Sequence, residues 1–132
     1  MEKNKKLIPG LPTGFEDRWD KKLYLKKKLL SLIEENFIRY GFEPLETPSF
    51  EISENIGSFL ADDESNPMSD VFTFNDGEKN ITLRYDLSSP LARFVAQNNQ
   101  QLPLPYKRYA IQNVFRNEKA GNARYREFTQ AD

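Results

Sequence analysis

The residues with most chemistry to offer lie near the end of the chain, in Phe115-Arg116-Asn117-Glu118 and then, after a polar loop, Arg124-Tyr125-Arg126-Glu127-Phe128-Thr129-Gln130. Runs of alternating apolar and polar residues flank that loop, which contains Gly121 and Asn122. The pattern predicts an antiparallel strand pair with a longish connection. Side chains alternate along a strand, so Val114 and Arg116 share one side and Phe115 takes the other. On the return run Arg124, Arg126, Phe128 and Gln130 share a face if no bulge intervenes. Guanidinium forks pair with phosphate oxygens, and an aromatic ring covers a base. A carboxylate such as Glu118 accepts from an exocyclic amine. The surface is therefore equipped for a nucleotide. It also fits an ordinary charged hairpin whose arginines face water, the reading that composition alone favours.

A second concentration lies in Leu83-Arg84-Tyr85-Asp86-Leu87-Ser88-Ser89-Pro90. Val71-Phe72-Thr73-Phe74 and Ile81-Thr82-Leu83-Arg84 flank Asn75-Asp76-Gly77, and Asp-Gly supplies a positive-φ turn, so a hairpin is expected. Ser89 followed by Pro90 predicts an N-cap and first turn for a helix running through Phe94, Val95 and Ala96. Asp86 and Ser88 then occupy a strand-to-helix corner, where side chains can point into a pocket. Alternatively, Asp86 serves as a local cap or as the ion-pair partner of Arg84.

Other elements must position these groups. Pro9 to Asp17 is turn-rich, with two prolines and two glycines. From about residue 19 to 40 the pattern turns helical: Leu23, Leu29, Leu30, Ile33, Phe37 and Ile38 recur at spacings near three and four. Asp17 or Asp20 is placed to cap or charge-complement its start, and Gly41 sits where a left-handed residue ends a helix. Lys21, Lys22, Lys26, Lys27 and Lys28 read as a solvated face or as an RNA-facing patch. Phe42 to Pro48 is a short extended piece whose prolines confine it to an edge or an interface. A short helix is expected from Phe50 to Leu60. The acidic run from Ala61 to Asp70 reads as a solvated connection, with no fixed geometry for a metal. Asn98 to Pro105 is a linker too short to separate domains.

Composition narrows the chemistry further. The 132 residues contain no Cys and no His, which removes disulfides, thiolates, imidazole acid–base catalysis and the commonest metal ligand. Any reaction must run on Arg, carboxylates, amides and positioning. No apolar run approaches the roughly 20 residues that cross a bilayer, and the basic start is followed by no signal-like stretch; a cytoplasmic setting is expected. The net charge of −1 conceals segregation. Residues 1–40 carry ten Lys/Arg against six Asp/Glu, residues 42–80 ten Asp/Glu against one Lys, and residues 106–132 six Lys/Arg against three Asp/Glu. A basic end permits an anionic ligand without identifying it.

The string Phe115-Arg116-Asn117-Glu118, loop, Arg124-Tyr125-Arg126-Glu127-Phe128-Thr129-Gln130 resembles motif 2 of class II aminoacyl-tRNA synthetases, in its histidyl version. The long helix, Gly41-Phe42, the strand and Thr47-Pro48 resemble motif 1 of the class, which would put Pro48 at a homodimer interface. Leu83-Arg84-Tyr85-Asp86-Leu87-Ser88, followed by Pro90, resembles a segment of one histidyl subgroup, with Ser88 where threonine is more familiar. The resemblance implies an α+β fold, with a mainly antiparallel sheet and flanking helices. It also implies ATP-dependent activation of histidine to histidyl-adenylate and transfer to tRNA(His), with Mg²⁺ accompanying the triphosphate. In that scheme Arg116 bridges the α-phosphate and the substrate carboxylate, and Glu118 contacts the adenine amine. Phe128 stacks on the adenine, Arg124 reaches the terminal phosphates, and Asp86, Gln130 and Ser88 recognise histidine.

Two departures stand out. Gln112-Asn113 occupies a place where Gly-Pro is common, and Ala123 precedes Arg124 where Gly is frequent; both bear on loop conformation rather than ligand contacts. Family features expected beyond Asp132 are a further acidic residue, motif 3 with its arginine, the histidine-specific segment and the anticodon-binding domain. Residues 1–132 are therefore expected to be the N-terminal portion of a catalytic domain, incomplete, nearly inactive alone and prone to self-association through an uncovered sheet edge. Two other readings remain. One is the non-catalytic synthetase paralogue that serves as regulatory subunit of ATP phosphoribosyltransferase. The other is a plain nucleotide-binding or dimerisation module.

Overall fold

The computed structural model describes residues 7–60 and 70–132; the basic stretch 1–6 and the acidic run 61–69 lie outside the described residues. Helix α1, Asp20–Arg39, falls where the periodicity puts it. Its start follows the charge-complement alternative rather than the side-chain cap. Trp19 occupies the cap position with no side-chain cap, and Asp20 sits in the first turn, where its charge complements the helix dipole. Its end follows the sequence. Gly41 has φ 77°, its N–H donates to Ile38, and the N–H of Phe42 donates to Phe37. That is a Schellman closure, which needs a left-handed residue at the glycine.

The inward stripe of α1 is narrow. Leu23, Lys26, Leu30, Ile33 and Phe37 are half-buried, whereas Leu29 and Ile38 remain 57% and 56% exposed. The two exposed residues were expected on the core face. The seat beneath the helix explains the difference. Strands β6, Ile111–Phe115, and β7, Glu127–Ala131, form a two-stranded ribbon, too slim to cover a full helix face. Where they meet, the contact is largely polar. Lys26 Nζ donates to Thr129 Oγ1, and Thr129 Oγ1 donates to Asn113 Oδ1. Asn113 Nδ2 in turn donates to Glu127 Oε1. Burial and the nearby Arg18 charge pull the Lys26 pKa below its ordinary value. Phe37 stacks on Tyr109 with ring centroids 5.2 Å apart, and Tyr109 Oη donates to Glu34.

After α1, β1, Glu43–Pro44, runs parallel to β5, Arg108–Tyr109. Next, β2, Phe50–Ile52, pairs antiparallel with β4, Asn80–Leu83, which also pairs with β3, Thr73–Asn75. The residues from Phe50 to Ile52, expected to be helical, are thus strand. Phe50 pairs with Leu83, and Glu51 is buried under a two-pronged ion pair with Arg93. Helix α2, Ser53–Leu60, follows directly. In the β3–β4 loop Gly77 has φ 105°, and Asp76 Oδ1 accepts from the N–H groups of Glu78 and Lys79. Helix α3, Ser88–Asn98, starts one residue before the expected cap. Leu87 occupies the cap position, and the Asp86 carboxylate, not Ser89, accepts a first-turn N–H. Pro90 lies in that first turn, where a missing N–H costs little.

The architecture is α+β, but the hairpin and the terminal ribbon belong to separate ladders rather than one sheet. Arg84 joins them. It is 4% exposed, its N–H donates to Ser49, and its C=O accepts from Phe115. Its Nε donates to the Asn113 carbonyl at 2.6 Å and its Nη1 to the Thr47 carbonyl at 2.9 Å. Gln112 holds the same Thr47 from the ribbon, its amide bonding both the Thr47 N–H and C=O. Between ribbon and corner lies a small core of Leu87, Ala110 and Val114, with Phe128 packed on it.

Replacing Arg84 by Met keeps the bulk but strips the guanidinium from the Asn113 carbonyl, a loss worth about 1–3 kcal/mol when a buried acceptor is left unsatisfied, and leaves the Thr47 carbonyl to Gln112 alone. Arg84→Met should lower unfolding stability by about 2 kcal/mol in a urea titration. Arg84→Lys, which reaches one carbonyl only, should fall between it and the parent. A midpoint for Arg84→Met equal to the parent's would show that the guanidinium is not the junction.

Candidate functional site

The site is built on the register of β6 and β7. Val114 pairs with Phe128 and Gln112 with Gln130, and the Arg116 N–H donates to the Arg126 carbonyl just past the strands. Cross-strand partners share a face, so Gln112, Val114 and Arg116 project on the same side as Phe128 and Gln130. Asn113, Thr129 and Glu127 occupy the opposite side, under α1. The period-two expectation from sequence therefore describes the ribbon.

On the outer face the Arg116 guanidinium lies between two rings. Its Cζ is 5.2 Å from the Phe128 centroid and 4.4 Å from that of Tyr85, and its Nε donates to the Tyr85 carbonyl at 3.3 Å. A cation held over aromatic faces is attracted by the ring quadrupole and so loses freedom. Phe128 has one side on the core and the other toward Arg116. Glu118 stands next along the chain. Its Oε1 accepts from Tyr85 Oη at 3.2 Å, and its Oε2 lies 3.4 Å from Arg124 Nε. Burial raises the Tyr85 pKa above its ordinary value, opposed by the Arg116 charge and reinforced by the Glu118 bond. The phenol is therefore neutral, and a donor, across the physiological range.

Arg124 keeps 66% of its side chain exposed, on a turn where its N–H and C=O both pair with Gly121. Ala123 in that turn has φ 58°, the left-handed conformation that explains why glycine suits the position. Arg126, expected on the ligand face, turns its Nε to the Glu118 carbonyl at 2.8 Å. Its N–H donates to the Gly14 carbonyl. A Cβ on Gly14, itself at φ 87°, would come within 2.6 Å of Arg126 Cγ.

At the corner, Asp86 is half-buried, with Oδ1 bonded to the Ser89 N–H. Arg84 does not pair with it; that guanidinium is committed to Asn113 and Thr47. The cap uses one carboxylate oxygen, and a carboxylate offers about four acceptor sites, so capacity for an ammonium remains. Ser88 is exposed and Gln130 half-buried. Arg108 ties the corner to the end of β7: its Nη2 donates to the Leu87 carbonyl and to Asp132 Oδ2, and its Nη1 to the Asp132 carbonyl. Pro48 is exposed, held between Thr47 and Ser49, which are themselves bonded to Gln112 and Arg84.

A cavity of about 600 Å³ lies elsewhere, at the start of α1, lined by Glu16, Arg18, Trp19, Lys22 and Lys26 among others. Its walls carry both charge signs. Among the described residues no three carboxylates gather to hold a metal ion. Tyr85, Arg108 and Gly14 are site-building residues that sequence reasoning passed over. Only Gly14, a glycine in a turn-rich entry, carried a local signal.

Comparison with known proteins fits this geometry. Residues 16–132 match the family model described as tRNA synthetases class II core domain (F). The chain is 80% identical over 132 residues to histidine–tRNA ligase of Pelagibacter ubique, all of this chain aligning with 28% of that protein. It superposes on histidyl-tRNA synthetase from Nostoc with a TM-score of 0.77 at 29% identity, covering 92% of this chain and 27% of that one. A Bacillus halodurans structure described as an ATP phosphoribosyltransferase regulatory subunit/histidyl-tRNA synthetase superposes at 0.76 with 26% identity, over 99% of this chain and 32% of that one. The chain thus spans somewhat over a quarter of the curated relative's length.

Two glycine-linked substitutions test the backbone of the site with opposite signs. Gly14→Ala meets both a positive φ and the Arg126 side chain, and should cost about 2 kcal/mol. Ala123→Gly relieves a left-handed alanine at some cost in unfolded-state entropy, and should stabilise by about 0.5 kcal/mol. Urea midpoints moving in the same direction for both would contradict this backbone.

Proposed function

The chain belongs to the class II tRNA synthetase core-domain family, and on that premise we propose that it supplies the ATP-binding half of a histidine-activating site. The whole reaction is formation of histidyl-adenylate and transfer to tRNA(His). The observation that carries the reading is Arg116, caged between Tyr85 and Phe128 on the ribbon face that also presents Gln130. Adenylate formation brings a carboxylate onto the α-phosphorus while pyrophosphate leaves. Two anions must approach, so a fixed cation between them lowers the barrier more than any proton transfer. Arg116 takes that place, bridging carboxylate and α-phosphate.

The remaining roles follow from exposure and donor type. Phe128 offers a ring for the adenine once the Arg116 guanidinium turns to the phosphate. Glu118 accepts from the adenine amine, and Arg124, the most solvent-exposed of these groups, reaches the terminal phosphates. Asp86, Gln130 and Ser88 receive the amino acid, with the second Asp86 oxygen on its ammonium. Mg²⁺ would travel with the triphosphate. Pro48 belongs to a face shared between two copies of the chain. The setting is the cytoplasm, where tRNA is charged.

A second reading, a regulatory subunit of ATP phosphoribosyltransferase, takes support from the Bacillus halodurans likeness. It predicts a thermal shift with histidine alone, whereas the synthetase reading predicts a larger shift with ATP and histidine together.

The direct test places residues 1–132 in the Pelagibacter ubique ligase in exchange for the matching segment. The hybrid should charge tRNA(His), and Arg116→Ala in it should slow ATP–pyrophosphate exchange at least about tenfold, since a charge-assisted bond is worth roughly 1.5–3 kcal/mol before transition-state charge is counted. A loss under threefold would reject the role of Arg116. The isolated chain is expected to show almost no exchange.

A further inference from the structure

We propose that Tyr85 is a positioning residue that sets the purine selectivity of the ATP site by anchoring Glu118 while its ring supports Arg116. The inference rests on the ATP-site reading and deepens it. Three contacts converge on this one residue. The ring lies 4.4 Å from the Arg116 Cζ, the carbonyl accepts from Arg116 Nε, and the hydroxyl donates to Glu118 Oε1 at 3.2 Å. Arg126 also bonds both residues, but through the Arg116 N–H and the Glu118 carbonyl; the Tyr85 side chain meets the guanidinium and the carboxylate themselves.

The argument turns on what becomes of Glu118 when the site fills. Its carboxylate has two side-chain partners, Tyr85 and Arg124. Arg124 is mostly exposed, on a turn, 3.4 Å away, and is the group that terminal phosphates would recruit. Once Arg124 leaves, the Tyr85 hydroxyl is what keeps Glu118 oriented. A carboxylate without that bond would swing toward water, and acceptance from a 6-amino group would lose its fixed direction. The ring makes a separate contribution, because it meets the Arg116 guanidinium more closely than Phe128 does, at 4.4 Å against 5.2 Å. The hydroxyl therefore governs which base is accepted, and the ring governs how firmly the phosphate cation is held.

The two contributions separate by substitution in the hybrid ligase described above, with ATP and inosine triphosphate as competing substrates in pyrophosphate exchange. Inosine triphosphate replaces the 6-amino group by a carbonyl, which Glu118 repels rather than accepts from. The parent should prefer ATP. Tyr85→Phe, which removes one oxygen and keeps the ring, should reduce the ATP:inosine triphosphate ratio of kcat/KM about tenfold, with the loss carried by KM for ATP. Tyr85→Leu should show the same loss of selectivity and a further fall in kcat. A residue that merely packs would lower the melting temperature without moving the ratio. If the parent prefers ATP and Tyr85→Phe keeps that preference, the inference is overturned while the ATP-site reading stands. If the parent hybrid shows no ATP-dependent exchange, both fail.

Discussion

A buried guanidinium bonded to backbone carbonyls, and to no carboxylate among the described residues, is the constraint from which the arrangement of this chain follows. Arg84 enters the interior at the end of β4 and bonds carbonyls on two other segments, Asn113 and Thr47. Burial pulls its pKa down, with Glu46 and Glu51 opposing from a distance. An arginine so placed remains charged and must find oxygen. Carbonyl oxygens of irregular or differently paired segments are the natural supply. Meeting that demand fixes the three-stranded sheet, the ribbon and the 45–49 segment relative to one another, which the small apolar core of Leu87, Ala110 and Val114 would not do by itself.

The consequences reach the site directly, because Tyr85 and Asp86 follow Arg84 in sequence. With Arg84 locked to the ribbon through its backbone C=O as well as its side chain, Tyr85 is delivered to Arg116 and Glu118. The chain then turns into α3 with Asp86 at the bend. Arg108 repeats the device at the far end, holding the Leu87 carbonyl and Asp132 together while 6% of its side chain remains accessible. Its Nε is buried without a partner among the described residues, so desolvation is tolerated there for the sake of a fixed geometry. Around the site, arginines serve two distinct ends. Arg84, Arg108 and Arg126 bond backbone carbonyls and build the scaffold, whereas Arg116, lying against two rings, and the largely exposed Arg124 are the two proposed to meet the ligand.

Much of this was legible residue by residue, where the physics is local. The 3.6-residue period and Gly41 located α1 to within a residue at either end, and the alternation around Arg116 and Phe128 placed both on one face. Asp86 as a local cap was visible as an alternative, since its partner Ser89 is three residues away. What escaped depends on distant chain. Phe50 to Ile52 becomes strand because Leu83 pairs with it. Leu29 and Ile38 stay exposed because a ribbon rather than a broad sheet lies beneath the helix. Tyr85 meets Glu118 across a separation of 33 residues, which no period announces. Arg84 read as a possible ion-pair partner of its neighbour; nothing in its surroundings along the sequence indicated carbonyls brought from elsewhere.

The pairing of β6 with β7 also bears on how such chains can change over generations. Side chains on a ribbon obey parity, and residues 127–131 have the α1 interface on one face and the surface proposed for the ligand on the other. Gaining or losing a single codon within that stretch would exchange the two populations wholesale, sending Phe128 and Gln130 beneath the helix. The connection at residues 117–125 carries no such parity, since its tip closes on itself through Gly121 and Arg124. Drift in length is therefore channelled into the turn, and the strand that follows inherits a fixed count.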